Sequence, residues 1–425
     1  MSGQPSPLEV WLDCDLCPPS QVGLLFHDRG QIRFRYHGEW LRQPQAFAID
    51  PDLSLDEHVF FPRPELGNFG IFLDSSPDRW GQTLMKRREA LEASDQGRTA
   101  RTLYAWDYLL GVQDATRQGA LRFKLQGGAE YLANDQRPAP PVTSLRELEA
   151  VALELSNKRI ENLDALRRWL SVLVAPGASL GGARPKANFT AQDGSLWMGK
   201  FPARDDDRDI AAWEYLTHQM ARQAGLDVPD AQLLELGGAY RTFCVQRFDR
   251  QGHQRRFYAS AMTLLGKEQS EGTSYLELAQ FIQNRADPKY AQQDLLELFK
   301  RVAFNVATGN RDDHLRNHGF ILQAQGWRLA PAFDINPNID KAEHVLNIDD
   351  TSPAPDLNLV LATAPYYGLQ PQQAQSIVTD ICNIVSQRHQ LARRLGLSAP
   401  EVSLMAPAYA AADQFASVKS SHSSA

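Results

Sequence analysis

The sequence predicts an α/β fold of the α+β kind, with strands gathered in its first 255 or so residues and helices after them. Three observations predict it. Residues 8 to 36 alternate apolar and polar with period two, a hairpin signal surrounds Asp193-Gly194, and from residue 259 apolar residues recur at helical spacing. The chain has 425 residues, enough for about two to four packed units. Hydrophobic residues make up 43% and charged residues 22%, a globular composition that excludes a disordered chain. The net charge of −7 argues against a protein whose main work is coating nucleic acid, although a local basic patch is compatible with it. The first ten residues lack a charged region followed by an apolar run, so no signal peptide is expected. No run of about 18 apolar residues occurs, so no membrane span is expected. Four cysteines make no disulfide framework, and a reducing cytoplasm is the expected compartment.

The elements follow in order. Val10/Leu12, Val22/Leu24/Phe26 and Ile32/Phe34/Tyr36 mark three strands, with a turn at Asp28-Arg29-Gly30. A helix is expected from Pro77 through Trp80, Leu84 and Met85, and another through Leu103, Trp106, Leu109 and Leu110. Residues 125–142 are Gly-, Pro- and Gln-rich and read as a linker. Ser144 and Glu147 have capping-box spacing, and a second amphipathic stretch covers Leu163, Leu166, Trp169, Leu170 and Leu173. Residues 176–182 break that periodicity. A hairpin follows, with Asn188–Ala191 and Leu196–Phe201 flanking Asp193-Gly194. A helix over 209–224 stops at Gly225, and strands near 231–236 and 241–247 meet through Gly237-Gly238. Helices are expected at 274–284, 291–308 and 371–395, with a small hairpin around 319–330 and a disordered tail over the last dozen residues.

Four constellations carry chemistry. Ser179-Leu-Gly-Gly-Ala-Arg-Pro-Lys186 has two glycines that allow exposed backbone amides and a lysine able to neutralise a phosphate. Ala187 follows where a Walker A loop has Ser or Thr. A Gly-rich loop running into a hairpin is how protein kinases cover ATP phosphates, and a plain interdomain turn is the other reading. Lys200 lies in a largely apolar strand, where a buried ammonium needs an anionic partner; an edge lysine facing water is the alternative. Asp312 and Asn317, in Asn310-Arg-Asp-Asp-His314-Leu-Arg-Asn317-His318, stand five residues apart, the interval between base and metal-binding amide in a kinase catalytic loop. Asp334 comes seventeen residues after Asn317, across the hairpin, where a second Mg²⁺-binding acid would return.

Other chemistries read the same residues differently. His314 and His318 have the i, i+4 spacing of two zinc ligands, but the glutamate of HExxH is missing. Cys14 and Cys17 have CxxC spacing without a second pair, and Pro18-Pro19 follow where a redox dithiol would open a helix. Lys86, Arg87 and Arg88 read as a solvated helix face.

Taken together the motifs resemble the HipA family, serine/threonine kinase toxins of bacterial type II toxin–antitoxin modules. The matching stretches are SLGGARPKA (179–187), MGKFP (198–202), VQRFDR (245–250), GNRDDHLRNHGF (309–320) and PAFDINP (331–337). LDSSPDRWGQTLMKR (73–87) and DYLLGVQDATRQGALRF (107–123) extend the likeness over nearly the whole chain. The resemblance implies a kinase-like, two-lobed fold: a subdomain over 1–130, an N-lobe with Gly-rich loop and hinge over 143–257, and a helical C-lobe over 258–425, with Mg-ATP between the lobes.

By the same resemblance Asp312 is the catalytic base, with Asp313 as its substitute, and His314 supports the loop and phosphates. Asn317 and Asp334 hold Mg²⁺. Lys200 contacts the ATP phosphates, and Gln246, Arg247 and Phe248 form the adenine hinge, largely through backbone. Gly181, Gly182, Ala183, Arg184 and Lys186 cover the nucleotide. Ser179 matches the serine that family members autophosphorylate, where a charge of about −1.5 to −2 would repel the γ-phosphate and switch the kinase off. Gln246 stands where an acidic residue is common, and Pro185 removes one amide donor. The implied substrate is a protein, such as an aminoacyl-tRNA synthetase. The implied partner is a HipB-like helix-turn-helix antitoxin, through which any DNA contact would run. Two rival readings are a kinase of a small molecule or lipid head group, and an ATP-binding co-repressor without catalysis.

Overall fold

The computed structural model describes residues 6–133, 139–155 and 184–422, with side chains to residue 417. The stretch through Leu163 to Leu173 and the loop holding Ser179, Gly181, Gly182 and Ala183 lie outside the described residues. The chain forms two compact units. One comprises residues 1–205, 236–239 and 244–268, and the other 206–235, 240–243 and 269–425. The stretches expected as amino-terminal subdomain and N-lobe thus both fall largely in the first unit. Among the described residues no helix is long and apolar enough to cross a membrane.

The first unit opens on the antiparallel strands β1 (Leu8–Cys14), β2 (Cys17–Asp28) and β3 (Gln31–Tyr36), joined by β4 (Leu121–Leu125) in the order β3-β2-β1-β4. Arg29 and Gly30 take the positive φ angles (50° and 84°) that the two-residue turn between β2 and β3 requires. One face of the sheet buries Leu8, Val10, Leu12, Leu25 and Phe34. Phe34, Phe72 and Phe123 form a chain of edge and tilted ring contacts, each pair of centroids 5.9 Å apart. The alternation expected for β2 fails at one place. The register slips between Val10 and Trp11, so Val22 and Leu25 are buried while Leu24 and Phe26 are half-exposed. A single-residue bulge flips the faces downstream of it, which an unbroken period of two cannot anticipate.

The helix expected from Pro77 runs Arg79–Asp95, capped by the Asp78 carboxylate, which accepts from Gly81 N–H at 2.8 Å. The second expected helix is shorter than its pattern, Ala105–Leu110, and leaves Leu103 outside. Further on, β5 (Lys186–Thr190) and β6 (Leu196–Lys200) form the expected hairpin with Lys186 opposite Lys200.

The second unit is built round the helix Ala291–Thr308. Leu298, Phe299, Val302, Ala303, Phe304, Val306 and Ala307 are each wholly buried, so the second half of this helix runs through the core, while Gln292 and Gln293 at its start are exposed. The helices Tyr275–Arg285 and Pro371–Ser386 pack against it, the former with a full Ser274/Glu277 capping box. The helix expected over 371–395 is broken at Gln387 into Pro371–Ser386 and Arg388–Arg394. The expected disordered tail is instead helical over Ala410–His422, fastened by buried Ala412 and by Asp413, which pairs with Arg388 at 2.8 Å. Composition alone reads Ser- and Ala-rich termini as tails because it cannot register such tertiary anchors.

Candidate active site

The central helix of the second unit ends at Gly309, whose φ of 65° closes it in the left-handed region. A Cβ there would lie 2.2 Å from the Ala408 carbonyl oxygen, so both the turn and the close approach require glycine. The loop that follows is tied down by its backbone: Asn310 N–H donates to Asn305 O, and Asn338 N–H to Gly309 O at 2.8 Å.

The two adjacent carboxylates are placed very differently. Asp313 is buried, and its Oδ2 accepts from the Tyr275 hydroxyl (2.5 Å), His318 Nε2 (2.7 Å) and Asn305 Nδ2 (2.8 Å). Burial would push this carboxyl up. The His318 imidazole, with Tyr275 and His314, outweighs it and holds the group below the usual range. Burial and the Asp313 charge push the Tyr275 hydroxyl well above its ordinary value. Asp312, by contrast, has its side chain 58% exposed and in an ion pair with Lys341. Only Asp312 is available to an outside hydroxyl.

His314 and His318 flank a single 3₁₀ turn, Leu315–Asn317. The helix that a two-histidine zinc pair would need is not formed, and His318 is engaged by Asp313. Among the described residues no group of three or more His, Cys, Asp or Glu side chains could hold a metal ion. A magnesium ion asks for less from the protein, one or two oxygen donors with water and phosphate completing the octahedron. Asn317 suits that demand: its Oδ1 is buried without a hydrogen-bond partner, a costly state for an acceptor that no ligand meets. Asp334 has a φ of 57°, rare for a residue with a side chain, and its Oδ1 accepts from Asn336 Nδ2 at 3.4 Å. An amide oxygen and a carboxylate are the donor set Mg²⁺ takes, so these residues fit the ion.

In the first unit, Lys200 is buried in β6, 7% exposed. Lys186, expected in the loop, instead opens β5, is 2% exposed, and pairs with Asp78 at 2.8 Å. The strand starts two residues before the expected Asn188, and Lys186 goes inward with it. Arg184 precedes that strand and is half-buried. In the hinge stretch, Arg247 grips Asp249 through Nε (2.8 Å) and Nη2 (2.7 Å), reaches Asn188 Oδ1 (3.0 Å), and donates its N–H to Leu196 O. The Phe248 carbonyl accepts from Arg256 at 3.4 Å, and the Phe248 ring lies 5.8 Å from Tyr258. Gln246 is half-buried at the end of the strand Thr242–Gln246. The stretch expected as the hinge is thus anchored by a buried bidentate ion pair that the sequence did not announce.

Cys14 and Cys17 are free thiols with sulfurs 3.9 Å apart across the β1–β2 turn. Burial and the facing Cys14 push the Cys17 thiol up to about 12, which disfavours the thiolate a redox dithiol needs. Sequence reasoning missed Tyr275, Asn305, Lys341 and Asp78. Asn305 had a signal, a lone amide in the apolar run Val302–Ala307; Lys341 had none, since it stands among other polar residues.

Comparison with known proteins adds the following. Residues 178–389 match the family model of the HipA-like C-terminal domain. A candidate kinase of Haemophilus influenzae is 28% identical over 180 residues, 37% of this chain and 52% of that protein. The serine/threonine-protein kinase toxin HipA of Shewanella oneidensis is 26% identical over 190 residues, 38% of this chain and 43% of that one. The chain therefore spans about half the length of these relatives. Among solved structures, HipA of Shewanella oneidensis, in complex with HipB and its operator DNA, superposes with a TM-score of 0.67 at 19% identity over 95% of both chains. That likeness shows the fold, α/β and kinase-like.

Proposed function

Because this chain belongs to the HipA family, we propose that it transfers the γ-phosphoryl group of ATP to a serine or threonine hydroxyl of a protein. The observation that carries this reading is the division of labour between neighbouring carboxylates, Asp313 buried and bonded to three donors, Asp312 exposed. Asp312 is the base that takes the proton from the attacking hydroxyl. Asp313 holds the loop in register below it, and His314 supports the same loop. Asn317 and Asp334 are the Mg²⁺ ligands, the ion supplying neutralisation of phosphate charge when bound. Lys200 contacts the phosphates. Gln246, Arg247 and Phe248 meet the adenine through the backbone, and Gly181, Gly182, Ala183 and Arg184 cover the nucleotide. Lys186, held by Asp78, contributes to that cover through the backbone rather than its ammonium.

On this reading Ser179 is the site of self-phosphorylation, which switches the enzyme off through charge repulsion. The partner is a HipB-like antitoxin, and DNA is reached only through it. Two features of this chain support the reading: the orphaned Asn317 oxygen and the left-handed Asp334. Incubating purified protein with labelled Mg-ATP, followed by intact mass and peptide mapping, tests it. One phosphate on Ser179 in the wild type and none in Asp312→Ala is the expected result. Absence of phosphate from both, with ATP still bound and prior modification excluded by mass, would favour the small-molecule kinase or co-repressor reading.

A further inference from the structure

We propose that Lys341 is a positioning residue for phosphoryl transfer, holding the Asp312 carboxylate aimed at the incoming hydroxyl. This rests on the kinase reading above and goes beyond it. The Lys341 ammonium pairs with Asp312 Oδ1, with side chains 41% and 58% exposed. Such an exposed pair adds only about 0–1 kcal/mol to stability, so it is not needed to hold the fold.

The segment carrying Lys341 is fastened by other means. Arg311 donates from Nη1 to the Lys341 carbonyl at 2.7 Å, and Val345 N–H donates to the Arg311 carbonyl at 3.2 Å. Asn338 N–H is bonded to Gly309 O, while Asn338 Oδ1 accepts from the Lys341 N–H at 2.9 Å. These bonds fix the backbone on either side of Lys341 against the residues flanking Asp312. The ammonium therefore reaches the carboxylate from a held position.

The chemistry gives that contact a use. As the substrate oxygen forms its bond to the γ-phosphorus, the bond from phosphorus to the β–γ bridging oxygen breaks and ADP leaves with that electron pair. The hydroxyl proton passes to Asp312. A fixed partner on Oδ1 holds the carboxylate in one orientation, which leaves Oδ2 to take the proton. Asp313 cannot substitute, because Tyr275, Asn305 and His318 already occupy its Oδ2 within the core.

The test is steady-state phosphate transfer from Mg-ATP by wild type, Lys341→Ala, Lys341→Arg and Asp312→Asn, with melting temperature measured for each. Lys341→Ala should lower kcat about 10- to 100-fold with the KM for ATP within about twofold, and Lys341→Arg should recover part of the loss. Melting temperatures should stay near that of wild type. An unchanged kcat in Lys341→Ala, or a loss that appears only in KM or follows the melting temperature, overturns the proposal. If the wild type is active and Asp312→Asn is not, that failure leaves the kinase reading intact. A wild type that transfers no phosphate overturns both.

Discussion

Asp312 and Asp313, adjacent in the chain, carry out opposite tasks: the first meets solvent and Lys341, while the second is sealed in the core by Tyr275, Asn305 and His318. Both follow Gly309, a left-handed residue that ends the central helix. A pair of identical residues in sequence is thereby divided into a buried anchor and an exposed carboxylate.

The turn itself is open to test. Gly309→Ala places a side chain at a φ of 65° and against the Ala408 carbonyl oxygen. The substitution should cost about 2 kcal/mol or more, read as a lowered denaturant midpoint, with phosphate transfer falling alongside.

His344 should make stability depend on pH. Burial pushes its imidazole down to about 4 from an ordinary 6.5. The unfolded chain binds a proton at this side chain below 6.5, while the folded chain resists until about 4. Stability is therefore fully present above 6.5 and falls as pH drops towards 4, by about 3 kcal/mol in all. Denaturation curves at pH 7 and pH 5 should differ by about 2 kcal/mol from this group, and His344→Leu should remove that share of the difference.

The buried Arg247–Asp249 pair is a third point. Asp249 is buried, and burial alone would raise its carboxyl; Arg247 and Arg250 instead hold it far below the usual range. Asp249→Ala leaves those guanidinium groups buried without their partner and should cost about 3–5 kcal/mol. Arg247→Met should cost less, because Arg250 still pairs with Asp249 at 2.7 Å. Equilibrium unfolding of both variants checks the order.

Much of this was legible in the sequence because it was local. Period-two alternation gave β1 to β3, the Asp193-Gly194 turn gave the β5–β6 hairpin, and helical spacing over 274–284 gave the helix Tyr275–Arg285. The interval from Asp312 to Asn317 and the position of Asp334 needed only counting, and they enter the proposed function as that count offered them. What the sequence hid depends on contacts far along the chain. Asp78 takes Lys186 from 108 residues away, and Tyr275 reaches Asp313 across 38. The slip at Val22 was hidden for another reason: a bulge obeys backbone register, which leaves no mark on composition.

The most direct measurement compares Asp312→Asn with Asp313→Asn for both unfolding free energy and phosphate incorporation from Mg-ATP. Asp312→Asn should keep its stability within about 1 kcal/mol and lose incorporation. Asp313→Asn should lose about 3 kcal/mol or more and retain transfer in whatever fraction remains folded. A stable, inactive Asp313→Asn beside an active Asp312→Asn would contradict the assignment of base and anchor.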